Sequence, residues 1–176
     1  TSGRFEGISD ALKLLLQPLH KINPAPTFPR LVEVACNLAD MCWHEHSDIR
    51  GDLAARRVLG LPVNCMTHKE RIWLGTALFH RYFGNKKNKQ RPHELESLLS
   101  AQRRAEAVTI GLALRFAMIF AAGTTGSLAG ILFEFDEPFL ILHVKKSVQP
   151  LFDRACANRF TLLAKSVGAQ PKVIWD

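Results

Sequence analysis

The densest group of potential ligands in the sequence is His44, Glu45, His46 and Asp48, and imidazoles mixed with carboxylates are a donor set for a divalent metal. On a continuous helix, residues two apart point to different sides, so His44 and His46 converge only if the chain turns between them. Surface loops often collect such residues without a metal, and the expectation here is a polar break between helices.

Cations form the second group. Lys86, Lys87, Lys89 and Arg91, with His93 beside them, make residues 85–91 the most basic stretch of the chain. Each phosphate neutralised by such a residue releases counterions, so a row of them holds a phosphate polymer without reading any sequence. The same row also fits a solvated loop that only keeps the protein soluble. Arg103 and Arg104 at the head of one expected helix, and His80 and Arg81 at the end of another, are placed to meet a groove. Arg50 either reaches toward such a ligand or pairs with Asp48 or Asp52, and pairing is the simpler reading. Arg115 lies on an otherwise apolar stretch, so it must find a carboxylate or carbonyl partner or emerge at a groove.

No nucleophile with a base beside it stands out. Ser9, Ser47, Ser100 and Ser147 read as helix caps, and Cys36, Cys42, Cys65 and Cys156 read as buried thiols of a reducing compartment, without CxxC spacing or a basic neighbourhood.

These residues need a framework, and 176 residues with 47% hydrophobic content suffice for a real core. A formal charge of +7, from 23 Lys and Arg against 16 Asp and Glu, draws the surface toward phosphate polymers, nucleic acid or acidic lipid heads. The longest uncharged run, residues 107–133, is interrupted by Gly111, Arg115 and a small-residue cluster, so a buried helix suits it better than a membrane span. No signal peptide opens the sequence, and the missing initiator Met suggests a fragment or a processed chain; the expected location is cytoplasmic.

Helical periodicity predicts a first helix capped by Ser9 or Asp10 and running to about Leu19, then a proline connector. A second helix is expected from Pro29 to about Trp43, and a third from Ser47 to about Leu59. Thr67 and Glu70 have capping-box spacing, which predicts a fourth helix to about Phe83. A short helix from Pro92 to Leu99 precedes a central buried helix that starts at Ser100. Beyond Gly126 the period changes to a hairpin at residues 131–144. A helix from Ser147 to about Val167 and a third strand at residues 172–175 then close the chain. The expected fold is mostly α: an HD-like helical domain over residues 1–127, followed by a small α+β subdomain over residues 128–176.

The stretch Ala35-Cys36-Asn37-Leu38-Ala39-Asp40-Met41-Cys42-Trp43-His44-Glu45-His46-Ser47-Asp48-Ile49-Arg50-Gly51-Asp52 resembles the C-terminal domain of the exopolyphosphatase/guanosine pentaphosphate phosphatase family, most closely its α-proteobacterial members. Leu78-Phe79-His80-Arg81-Tyr82, Ile110-Gly111-Leu112-Ala113-Leu114-Arg115 and the closing hairpin and helix extend the resemblance over nearly the full length. Arg50 stands where that pattern has its Arg.

The resemblance implies a two-part protein. An actin-like half, absent from these residues, binds Mg²⁺ and hydrolyses terminal phosphate from polyphosphate, while the HD-like half holds the chain in a basic canyon. The segment itself then needs no cofactor, and its partners are polyphosphate or another polyanion, the actin-like half and a second copy in a homodimer. The expected substrate-binding residues are Lys86, Lys87, Lys89, Arg91, Arg103, Arg104, Arg50 and Arg81.

Working HD phosphohydrolases need a His-Asp pair with a further His and Asp to hold metal. Ala39-Asp40 occupies the pair's position here, and no His stands between His20 and His44, so Asp40 is expected to serve a helix end or an Arg. Two rivals remain. One is a stand-alone HD-type metal phosphohydrolase using Asp40 or the His44 to Asp48 group. The other is a nucleotide-alarmone or nucleic-acid binding module, against which stands the paucity of aromatic residues near the basic loop, Tyr82 and Phe83 only.

Overall fold

Helix α5 (Ala101–Phe120) is apolar nearly all round because it is covered nearly all round, and the remaining elements are arranged about it. Ser100 caps it as expected, its hydroxyl accepting from the Arg103 N–H at 3.3 Å. The computed structural model describes residues 7–23, 25–62, 65–83, 94–121 and 124–176. The basic residues Lys86, Lys87, Lys89, Arg91 and His93 lie outside the described residues.

The helical part begins with α1 (Ile8–Leu16), which buries Ile8, Leu12, Leu15 and Leu16 on one stripe. The α-helix ends three residues before the expected Leu19 and tightens into a 3₁₀ turn at Gln17–Ile22. Pro18 has no N–H for the Leu14 carbonyl and its ring crowds that turn, which ends regular α pairing. Helix α2 (Thr27–Leu38) stops well short of Trp43. Helix α3 (Arg50–Leu59) starts after Ser47, whose hydroxyl donates to Asp48 and caps nothing; the His46 carbonyl accepts from the Ile49 and Arg50 N–H groups instead.

The capping box of α4 (His68–Tyr82) forms as its spacing predicts: the Glu70 N–H donates to Thr67 Oγ1 at 3.2 Å and the Thr67 N–H donates to Glu70 Oε2 at 2.7 Å. Arg30 of α2 adds an ion pair to the same Glu70. After the undescribed stretch, a 3₁₀ turn at Glu94–Leu98 leads into α5.

The hairpin is β1 (Ile131–Asp136) and β2 (Phe139–Val144), paired antiparallel with Ile131 opposite Val144. Strand β3 (Gln170–Trp175) runs parallel to β2, so the sheet order is β1-β2-β3 and α6 (Arg154–Ser166) is the crossover that parallel pairing requires. The last helix does not start at Ser147. A 3₁₀ turn at Lys146–Leu151 contains Pro150, and α6 begins only after Asp153, whose carboxylate accepts from the Cys156 N–H at 2.7 Å.

Hydrophobic packing is continuous from α1 to α6, with Leu12, Phe28, Trp73, Phe116, Phe133 and Phe160 in one cluster. Phe116 of α5 lies 5.7 Å from Phe133 of β1 and 5.8 Å from Phe160 of α6, ring centre to ring centre, and so ties sheet, crossover and central helix together. Cys36, Cys42 and Cys156 are buried as expected, and burial pushes the Cys36 thiol up to about 12 and the Cys156 thiol up to about 11. Cys65 departs from the expectation and is exposed. Among the described residues, no helix is long and apolar enough to cross a membrane.

Candidate anion-binding site

Where α2 stops, α4 supplies the reason. The Ala39 carbonyl, which a longer α2 would pair with the Trp43 N–H, accepts from Arg81 Nε at 3.1 Å and from the Tyr82 hydroxyl at 3.2 Å. The Cys42 N–H, which would have reached back to Leu38, donates to the Tyr82 oxygen at 3.2 Å. Two side chains of α4 thus intercept backbone groups that a helix needs, and residues 39–44 follow as successive turns.

This junction decides what Asp40 can do. Asp40 is buried, and Arg81 lies close enough for the carboxylate to favour its positive charge. Ala39 offers no imidazole, and the cation beside Asp40 is a guanidinium, so these residues do not fit a catalytic metal. The neighbouring group does not gather either. His44 Nε2 lies 3.4 Å from Glu45 Oε1, His46 Nδ1 lies 3.7 Å from Asp48 Oδ2, and Glu45 is taken up by Arg57. Among the described residues, no three His, Cys, Asp or Glu side chains assemble as metal ligands.

Arg30, Arg57 and Arg103 each have a carboxylate of their own, on Glu70, Glu45 and Glu106. Arg103, expected to face substrate, bonds Glu106 at 2.8 Å and lies over the Trp73 ring; Glu106 in turn accepts from Asn23 Nδ2 at 2.8 Å, which fixes the head of α5. Arg104 is exposed on the same turn. Arg50, for which pairing with Asp48 or Asp52 is the simpler expectation, donates from Nε to the Glu45 carbonyl.

Arg81, Arg115 and Arg159 belong to α4, α5 and α6. Gly111 permits α4 and α5 to touch, since a Cβ there would lie 2.4 Å from the Ala77 carbonyl oxygen, 2.7 Å from His80 Cβ and 3.2 Å from the Arg81 nitrogen. Arg115 follows one helical turn later on the same face. On the other side, Phe116 meets Phe160, so the residues just before them, Arg115 and Arg159, come from adjoining turns of α5 and α6.

Burial, then Arg159, then Arg81, push the half-buried Arg115 guanidinium down to about 10. Burial also lowers Arg81, with Arg50 acting in the same direction against Tyr82 and Asp40. Arg159 donates from Nη1 to the Ala155 carbonyl at 2.9 Å, while its buried Nε has no hydrogen-bond partner among the described residues. Arginine does not give up its proton in a protein, so these environments destabilise a charge that stays.

The family model described as the exopolyphosphatase C-terminal domain matches residues 20–174. The chain belongs to that family. No curated protein matches it. Within this exopolyphosphatase C-terminal domain, of the described residues foreseen for substrate, Arg81 bonds the Ala39 carbonyl, Arg50 the Glu45 carbonyl and Arg103 the Glu106 carboxylate, while Arg104 is exposed. Sequence reasoning missed Arg159. It stands three residues after Cys156 and four before Leu163, inside the buried stripe of α6, and a helical projection would have marked it as it marked Arg115.

Proposed function

We propose that this domain is the substrate-holding module of an exopolyphosphatase that removes terminal phosphate from polyphosphate. Hydrolysis is assigned to an actin-like half carrying Mg²⁺, which lies outside these residues, and the module works in the cytoplasm against that half, with a second copy as a further partner. The observation that carries the reading is the match to the exopolyphosphatase C-terminal family over residues 20–174, on a chain of net charge +7. The basic residues Lys86, Lys87, Lys89 and Arg91, which lie outside the described residues, enter this reading as polyanion contacts, and the likeness to α-proteobacterial members belongs with it.

The test is a variant with those loop residues changed to Gln, compared with the native chain for binding long-chain polyphosphate at several salt concentrations. By analogy with other phosphate polymers, each lost contact lowers the slope of log affinity against log salt by about 0.7–0.9. The variant is therefore expected to bind more weakly and with a slope lower by about 3. Equal affinity and equal slope for the two proteins would remove the loop from the path.

A further inference from the structure

We infer that the open edge of β3 is a pairing surface for a second copy of this chain, with the two β3 strands antiparallel about a two-fold axis at Ile174. This deepens the second-copy partner proposed above and does not depend on the polyphosphate reading. Strand β3 ends the sheet on one side. The other edge strand, β1, lies against α1 and the 3₁₀ turns at Gln17–Ile22 and Thr125–Gly130, whereas β3 is packed on β2 and α6. An uncovered edge presents a row of N–H and C=O groups with which another strand can pair.

The ladder fixes which groups those are. The Asp176 N–H donates to the Val144 carbonyl at 3.0 Å, the Lys146 N–H to the Asp176 carbonyl at 2.9 Å and the Gln170 N–H to the Pro138 carbonyl at 2.9 Å, so the even-numbered residues of β3 turn their backbone groups to β2. Successive residues of a strand turn them to opposite sides, so Val173 and Trp175 direct theirs outward. Neither residue has a backbone hydrogen bond on that side among the described residues. The strand is held firm from behind: Val173 packs on the core, and Trp175, 47% exposed, sets its ring edge-to-face on Phe152 at 5.5 Å.

Pro171 selects the register. Val173 opposite its own copy would bring Trp175 opposite Pro171, where each Trp175 carbonyl meets a residue without an N–H. Val173 opposite Trp175 uses every outward N–H and C=O of both residues and leaves Pro171 outside the pairing. The same register makes the side chains complementary. Residues 172, 174 and 176 share one face, so Ile174 meets its own copy and Lys172 meets the partner's Asp176, twice by symmetry. Both charged groups are within reach of a partner. The Lys172 ammonium lies 5.4 Å over the Phe139 ring and has no carboxylate among the described residues, and the Asp176 carboxylate is 53% exposed, with His143 Nδ1 at 3.5 Å.

Sedimentation equilibrium of the intact chain over a concentration series gives the dimer dissociation constant, at moderate salt so that the mutual repulsion of two +7 chains is screened. Circular dichroism checks that each variant is folded. The native chain is expected to dimerise. Lys172→Asp sets carboxylates opposite each other and is expected to weaken the dimer about 10-fold or more, and adding Asp176→Lys exchanges the charges and should return it to within about 3-fold of native. Hydrogen exchange at the Val173 and Trp175 amides should slow as the dimer forms.

A native chain that stays monomeric at every concentration overturns the pairing and removes the second copy from the partners, whatever its affinity for polyphosphate. A dimer that Lys172→Asp leaves unchanged, or in which the Val173 and Trp175 amides exchange as fast as in the monomer, overturns the β3 edge and seats the second copy elsewhere. Weakening by Lys172→Asp without recovery in the double variant overturns the register.

Discussion

Phe116→Ala is expected to cost about 3–5 kcal/mol, the range for truncating a large aromatic side chain in a close-packed interior. Phe116 is fully buried, and its ring meets Phe120 on its own helix, Phe133 on β1 and Phe160 on α6. Neighbouring rings cannot close such a hole without moving the strand or the crossover helix, and Phe133 and Phe160 are already stacked on each other at 6.1 Å. The urea midpoint should fall with the m-value unchanged, which marks a loss of stability and not a change in the denatured state. Leu132→Ala, on the open side of the sheet where Leu132 is 51% exposed, should change stability by no more than about 0.5 kcal/mol. A Phe116→Ala cost as small as that of Leu132→Ala would mean that the aromatic cluster does not bind the sheet to the helices.

Gly111→Ala is the second large effect, and it arises from excess volume. The added Cβ would stand 2.4 Å from a backbone oxygen of α4, and no side-chain rotation can relieve that contact. The helices must separate, at a cost of about 3 kcal/mol, at the upper end of what overpacking usually costs. Gly111→Ala with native stability would show that α4 and α5 do not cross so closely.

Features that depend on a few adjacent residues are legible in the sequence itself. Thr67 with Glu70, and Ser100 before its helix, cap where their spacing places them, because the atoms involved lie within one turn. The hairpin follows from the change of period after Gly126, and the third strand from its apolar run, although nothing local specifies that β3 pairs parallel to β2. The mostly α fold with a small β element at its end follows from these pieces.

What escapes is what distant residues impose. Residues 39–43 have helical periodicity, yet Arg81 and Tyr82, some forty positions away, take the backbone groups concerned. Ser47 and Ser147 are good caps by type, but the His46 carbonyl and Asp153 take over the starts of α3 and α6. The candidate site divides in the same manner. Arg81 and Arg50 can be placed by their positions at helix ends, while Arg103 looks available only as long as its partner Glu106 is not counted against it. Arg115 is visible as a charge on an apolar helix; its relation to Arg159 is not, because it depends on how α6 packs against α5.

The most direct test of the central claim is competition. The intact chain is equilibrated with labelled long-chain polyphosphate at moderate salt, and unlabelled polyphosphate, RNA of matched charge and guanosine tetraphosphate are titrated in. Tight binding is expected, displaced by polyphosphate at far lower phosphate concentration than by RNA or by the alarmone. Displacement by RNA or the alarmone at equal or lower concentration, or no binding of polyphosphate by the folded chain, would contradict it.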